Sequence, residues 1–141
     1  MKIKVHKFDN FVKMPDRAHW NDSGADVFTA IDVTIPAHGS VAVPLGIGVD
    51  LPNGYDLVIQ SKSGLSKKGI GCFNAIVDAG YTGEIHALVY NITDTPYEFK
   101  RGDKVGQLCC RPVIYADFVE EYPGEERGDG GFGSTGKWYG Y

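Results

Sequence analysis

Gly46-Ile47-Gly48-Val49-Asp50-Leu51-Pro52-Asn53-Gly54-Tyr55-Asp56-Leu57-Val58-Ile59-Gln60 is the stretch on which the reading of this chain turns. Two runs rich in β-branched and aliphatic residues flank Asn53-Gly54, and an Asn-Gly between such runs is a strong short-range hairpin signal. The expectation is a strand ending near residue 51, a turn at Pro52-Asn53-Gly54, and a second strand over residues 55–60. Working outward, similar short runs recur at 2–6, 32–36, 40–51, 70–77, 84–90, 97–99, 104–114 and 118–121, with Ala37-His38-Gly39 as a further turn. Only residues 64–68 suit a helical turn or two, and Gly69 stops them. The pattern predicts an all-β protein, a jelly-roll-like or Greek-key barrel. From residue 122 onward the apolar pattern ends. The expected organisation is one β-barrel domain over residues 1–122 and a flexible glycine-rich C-terminal tail over 123–141.

At 141 residues, with 43% hydrophobic residues and a formal net charge of −4, the chain supports one domain with a real core. The acidic balance argues against a nucleic-acid polymer as partner, because a phosphate-tracking surface carries a basic excess. A small anion in a local pocket is still allowed. No apolar run approaches a membrane span and residues 1–6 lack a signal-peptide core, so the sequence reads as soluble and intracellular. Cys72, Cys109 and Cys110 are odd in number and lack CxxC spacing, which supports neither a disulfide framework nor a zinc site; they read as reduced core thiols. His6, His19, His38 and His86 show no metal-ligand spacing.

Several segments carry candidate chemistry. In Val77-Asp78-Ala79-Gly80-Tyr81-Thr82-Gly83-Glu84 a carboxylate ends an apolar strand, where partial desolvation suits a general base toward water. The competing reading is a turn cap made by Asp78 to local N–H groups. Gln60-Ser61-Lys62-Ser63-Gly64-Leu65-Ser66-Lys67-Lys68-Gly69 offers hydroxyls, ammonium groups and exposed N–H groups suited to phosphate, but lacks Walker A spacing and equally resembles a solvated loop. Ser23-Gly24-Ala25-Asp26-Val27 places a carboxylate just before a strand, able to hold a hydrated Mg²⁺ through its water shell or to cap a turn. Arg101-Gly102-Asp103-Lys104 reads as a tight turn into the strand that carries Gln107. The tail segment Arg127-Gly128-Asp129-Gly130-Gly131-Phe132-Gly133-Ser134-Thr135-Gly136 is too rich in glycine for a core. Its guanidinium, hydroxyls and aromatic ring suit a ligand having both phosphate and a flat face, which is a nucleotide.

In this order, the five segments resemble the five motifs of the trimeric dUTPase family, over residues 23–136. The resemblance implies a jelly-roll homotrimer that hydrolyses dUTP to dUMP and pyrophosphate with Mg²⁺ across the phosphates, keeping uracil out of DNA and supplying dUMP for thymidylate synthesis. It implies Asp78 as the base that activates water for in-line attack on the α-phosphorus, with positioning and charge stabilisation as the main sources of catalysis. Backbone groups over Asn74, Ala75, Ile76 and Val77 would read uracil, and Tyr81 would pack on the deoxyribose and exclude a 2′-hydroxyl. The backbone near His86 would line the sugar side. Lys62, Ser63, Gly64 and Gln107 would contact the phosphates, and Asp26 would hold the metal through water only. From the tail, Arg127, Gly133, Ser134 and Thr135 would close on the γ-phosphate end while Phe132 stacks on uracil, each site being shared among three subunits. The same resemblance implies a cytoplasmic enzyme, in the host cytoplasm if a virus encodes it.

Two departures stand out. Lys62 stands where the family usually has arginine, exchanging a bidentate fork for a point charge. Gly106 stands where alanine is more frequent, a change expected to affect strand packing. Two alternatives stay open: a dCTP deaminase of the same fold, with Glu84 as the water-activating carboxylate, and a non-catalytic nucleotide-sensing trimer. The residues Lys137-Trp138-Tyr139-Gly140-Tyr141 lie beyond the fifth motif.

Overall fold

The computed structural model describes residues 1–124. Strands β1 (Lys4–Lys7), β2 (Ala25–Phe28), β3 (Val33–Ile35), β4 (Ser40–Pro44), β5 (Ile47–Asp50) and β6 (Tyr55–Gln60) precede one short helix, α1 (Ser63–Ser66). Then follow β7 (Ile70–Cys72), β8 (Ala75–Val77), β9 (His86–Asn91), β10 (Tyr97–Phe99) and β11 (Lys104–Pro112). All ladders are antiparallel: β1 with β5, β10 with β3, a four-stranded sheet β2-β11-β6-β8, and a three-stranded sheet β4-β9-β7. The all-β, jelly-roll-like expectation is met.

The inner faces close on an aliphatic core. Alternation is cleanest on β9, where Ala87, Val89 and Asn91 are buried while His86 and Leu88 are exposed. Val27, Ile35, Val43, Ile47, Val49, Leu57, Ile59, Val105 and Leu108 meet them, with Phe99 as the one fully buried aromatic ring among the described residues. Asn91 is a polar group in this interior. Its Nδ2 donates to the carbonyls of Ile35 and Thr95 and its Oδ1 accepts from Thr93, so its burial leaves no donor or acceptor unmet.

Several boundaries differ from the sequence expectation. The Pro52-Asn53-Gly54 turn forms, with Gly54 at φ +90°, but it does not close a hairpin. Strand β5 pairs with β1, whereas β6 lies between β11 and β8. Pro52 has no N–H for the rung that would flank an Asn-Gly turn, and the Gly54 N–H and C=O are taken instead by Tyr115 Oη and Val113 N. The turn therefore carries the chain from one ladder to another.

The run at 70–77 likewise divides, β7 joining β9 and β8 joining β6, and the run at 40–51 divides into β4 and β5. Residues 118–121 form no strand: both edges of β11 are already occupied, and Phe118 and Val119 are exposed. Of the three thiols, only Cys72 is in the core; Cys109 is half-buried and Cys110 exposed, because neighbours on a strand face opposite ways.

Candidate nucleotide site

Strand β8 is the edge of the four-stranded sheet. Its residues pair with β6 through Ile59↔Ala75, Val58↔Ile76 and Leu57↔Val77, and its other edge carries no strand among the described residues. An unpaired strand edge presents backbone donors and acceptors in fixed alternation. Beside it lies a pocket of about 240 Å³ lined by Ile59, Ala75, Ile76, Val77, Asp78, Tyr81, Glu84, Ile85 and His86. The fold thus gathers Ala75, Ile76, Val77, Asp78, Tyr81 and His86 around one cavity. Asn74 precedes the strand and does not line it.

Asp78 follows the last residue of β8 and is exposed. The expected partial desolvation is absent within the single chain, since β8 has no strand beyond it to cover its end. Its backbone carbonyl accepts from Tyr81 N at 3.0 Å, closing the turn, while its carboxylate makes no hydrogen bond among the described residues. The turn-capping role is therefore not the one its side chain plays. Tyr81 is 47% exposed; its hydroxyl donates to the Glu84 carbonyl at 2.6 Å, folding the ring over Gly83. His86 Nδ1 lies 3.3 Å from the same carbonyl and its Nε2 lies 3.7 Å from Glu84 Oε1.

A second cavity, of about 570 Å³, is lined by Asp22, Ser23, Gly24, Ser61, Lys62, Ser63, Ser66 and Gln107. It shares no residue with the first. Ser63 opens α1, and the first N–H groups of a helical turn have no intrahelical acceptor. A Cβ at Gly64 would meet no protein atom within 4 Å, so packing does not demand glycine there; the space beside it is open. Gln107 lies opposite both Asp26 on β2 and Gln60 on β6, and its Nε2 donates to Ser61 O at 2.9 Å. Its other end runs over Gly24, where a Cβ would overlap Gln107 Oε1. Ser61 Oγ in turn accepts from Cys72 N at 2.7 Å, tying the end of β6 to β7.

Asp26 is 5% exposed and lies within β2, not ahead of it. Lys62 Nζ sits 2.5 Å from its Oδ1 and Lys104 Nζ 3.2 Å from its Oδ2. Burial pushes the Asp26 carboxyl up, but the hydrogen bonds and charges of Lys62 and Lys104 together outweigh it and hold the group below the usual 3.8. Lys104 was not among the candidates. Asp26 and Lys104 come together only through the β2–β11 register, with its irregularity between Lys104 and Gly106, and no local motif shows it. At Gly106 a Cβ would lie 3.1 Å from both Cys72 Sγ and Gln60 O, which makes the departure there one of packing, as expected. Arg101-Gly102-Asp103-Lys104 forms the expected tight turn, with Lys100 N donating to Asp103 Oδ2 at 2.7 Å.

Among the described residues no group of three or more His, Cys, Asp or Glu side chains could hold a metal ion. Both Asp26 oxygens already face ammonium groups. This donor set fits a divalent ion carried by the ligand's phosphates and touched through water, not one ligated by the chain. Arg127, Phe132, Gly133, Ser134 and Thr135 lie outside the described residues.

The edge of β8 beside an apolar pocket with a carboxylate on its rim, and a separate cavity lined by Lys62, serines and Gln107, give this all-β protein surfaces that suit a flat ring and a phosphate. The particular family is shown by comparison: the dUTPase family model matches residues 10–136, and the chain belongs to that family. Deoxyuridine 5'-triphosphate nucleotidohydrolases are among its relatives. That of Thermobifida fusca is 41% identical, the match covering 96% of this chain and 79% of the relative. That of Paramecium bursaria Chlorella virus 1 is 38% identical, with 95% and 97% covered. Among solved structures, a mutant dUTPase of Staphylococcus bacteriophage 80alpha with dUpNHpp superposes with a TM-score of 0.84 at 25% identity, covering 96% of this chain and 99% of that one. A mutant dUTPase from phage phi11 of S. aureus, for which coordination of a structural Mg(II) ion is described, shares the fold with a TM-score of 0.82 at 23% identity, over 89% and 100% of the two chains.

Proposed function

We propose that this chain hydrolyses dUTP to dUMP and pyrophosphate, and that Asp78 is the base. The observation that carries the assignment is the Asp78 carboxylate, which makes no hydrogen bond among the described residues, on the rim of a pocket bounded by Tyr81 and by the edge of β8 that no described strand covers. The pocket is small and half apolar in its lining residues, as a pyrimidine and a deoxyribose require. Uracil sits along β8, where residues 74–77 offer backbone groups in a pattern that pairs with its edge. Tyr81, held by its hydroxyl bond to Glu84 O, lies against the sugar face and leaves no room for a 2′-hydroxyl. Asp78 accepts the proton of a water molecule that attacks the α-phosphorus opposite the departing pyrophosphate.

The triphosphate lies in the cradle of Lys62, Ser63 and Gln107, beside the open space at Gly64. Asp26 would hold, through water, a Mg²⁺ bound to the phosphates, and that ion would supply neutralisation of part of their charge. Lys62, which lines the cradle, turns toward the phosphates as these enter, while Lys104 stays on the buried Asp26 carboxylate. The nucleoside pocket and the cradle are separate surfaces with no residue in common, which supports a homotrimer in which one subunit's pocket faces another's cradle. Residues 123–141 form the third contribution, Arg127, Ser134 and Thr135 closing on phosphate and Phe132 on uracil. A cytoplasmic enzyme is part of the same family reading. No helix among the described residues is long and apolar enough to cross a membrane.

Turnover in ¹⁸O-labelled water tests the chemistry directly. Attack at the α-phosphorus places the label in dUMP; label found only in pyrophosphate overturns the assignment. Tail-truncated protein ending at Pro123 is expected to lose turnover while keeping its melting temperature, and full activity of that variant overturns the closing role given to the tail.

A further inference from the structure

We infer that His6, on the first strand, is a positioning residue for the turn that carries Asp78 and Tyr81, and thereby for discrimination between deoxyribo- and ribonucleotides. The inference rests on the dUTPase reading above. His6 Nε2 lies 2.9 Å from the Thr82 carbonyl, a contact that joins positions separated by 76 residues. A carbonyl only accepts, so Nε2 carries the proton and donates.

The ring is itself fixed from two sides. It lies over Gly48 of β5, where a Cβ would overlap Nε2, and it meets Phe8 edge-to-face with centroids 5.2 Å apart. Gly83 O approaches the same bare position on Gly48, at 2.9 Å from where a Cβ would stand. Next along the turn, the Tyr81 ring covers Gly83, with Tyr81 Oη 3.0 Å or less from the position a Cβ would take there. Beyond it, Ile85 N donates to Ile47 O at 2.9 Å. The far end of the turn is thus held by β5 and the near end by β8, and among the described residues His6 is the side chain of another strand that hydrogen-bonds its middle. Without that bond the Tyr81–Thr82 segment keeps only its own internal contacts, and an exposed turn so held shifts easily. Tyr81 acts on the sugar by steric exclusion, which is sensitive to small displacements.

The test compares wild type, His6→Ala and His6→Gln. Glutamine places an amide N–H near the position of Nε2, whereas alanine removes the donor. For His6→Ala the ratio of kcat/KM for dUTP over UTP is expected to fall about fivefold to tenfold, the scale of one hydrogen bond. His6→Gln restores most of it. Hydrogen–deuterium exchange over residues 78–84 quickens in His6→Ala and returns toward wild type in His6→Gln.

An unchanged ratio with unchanged exchange in His6→Ala overturns the inference. So does equal loss on both nucleotides with no rescue by glutamine, which marks a merely structural role. If wild type fails to hydrolyse dUTP, the functional reading falls instead, and the exchange measurement still decides whether His6 holds the turn.

Discussion

Lys62 Nζ and Asp26 Oδ1 stand 2.5 Å apart, so the cation of the phosphate loop is bonded to the carboxylate expected to touch the metal. Lys104 completes the arrangement on the other oxygen. Each Asp26 oxygen is paired with an ammonium group, so a phosphate in the cradle must compete with Asp26 for Lys62. Replacing Lys62 by arginine tests this. A guanidinium can keep one donor on Asp26 while turning another to phosphate, so K62R is expected to lower KM for dUTP by about threefold with little change in kcat. Steady-state kinetics check it; a raised KM shows that the point charge is better suited to this cradle.

The same pair makes stability depend on acid. A carboxyl held below 3.8 in the folded state contributes stability that is present above that value and is lost as pH falls through the folded one. Asp26→Asn is expected to lower unfolding free energy by about 1–2 kcal/mol at neutral pH. The gap to wild type then narrows as pH falls below 3.8 and through the lower folded-state value. Urea unfolding across that range measures it, and a gap independent of pH means the carboxylate charge is not what the lysines hold.

Gln107 reaches the cradle only because residue 24 lacks a side chain. In Gly24→Ala the glutamine must swing away and release Ser61 O. Because the obstructing group is a flexible side chain, the expected stability loss is below about 1.5 kcal/mol. KM for dUTP should rise about tenfold or more. A melting curve and a kinetic titration separate the two, and the prediction fails if stability drops sharply while KM stays put.

Burial pushes the Cys72 thiol up to about 11, so it stays protonated at neutral pH and poorly reactive. Its Sγ also lies 3.1 Å from Val105 O. A thiol reagent is expected to leave Cys72 unlabelled in native protein and to label it after denaturation, as read by mass spectrometry of peptides. Native labelling of Cys72 at the rate of exposed Cys110 contradicts this.

What the sequence could bring together was local: Ala75, Ile76, Val77, Asp78 and Tyr81 line one cavity and Ser61, Lys62 and Ser63 another, each set being close in sequence, whereas Asn74 and Gly64 line neither. Strand pairing was less legible. Asn53-Gly54 signals a turn, but whether the flanking strands pair depends on Pro52 and on which edges of β5 and β6 other strands occupy. Lys104 and His6 were invisible for a related reason: one meets Asp26 across a ladder, the other meets Thr82 at a separation of 76 residues along the chain. Residues 118–121 look like a strand by composition, yet no free edge of β11 is left for them.

Asp78 and the pocket it edges are the centre of the proposed chemistry. The most direct measurement is product release by wild type and Asp78→Asn on dUTP, UTP, dTTP and dCTP with Mg²⁺. Wild type is expected to release pyrophosphate from dUTP with strong preference over the other three. Asp78→Asn should lower kcat by about 10²-fold or more while still binding a non-hydrolysable imido analogue. Equal cleavage of UTP or dTTP, ammonia release from dCTP, or unchanged turnover in Asp78→Asn would contradict it.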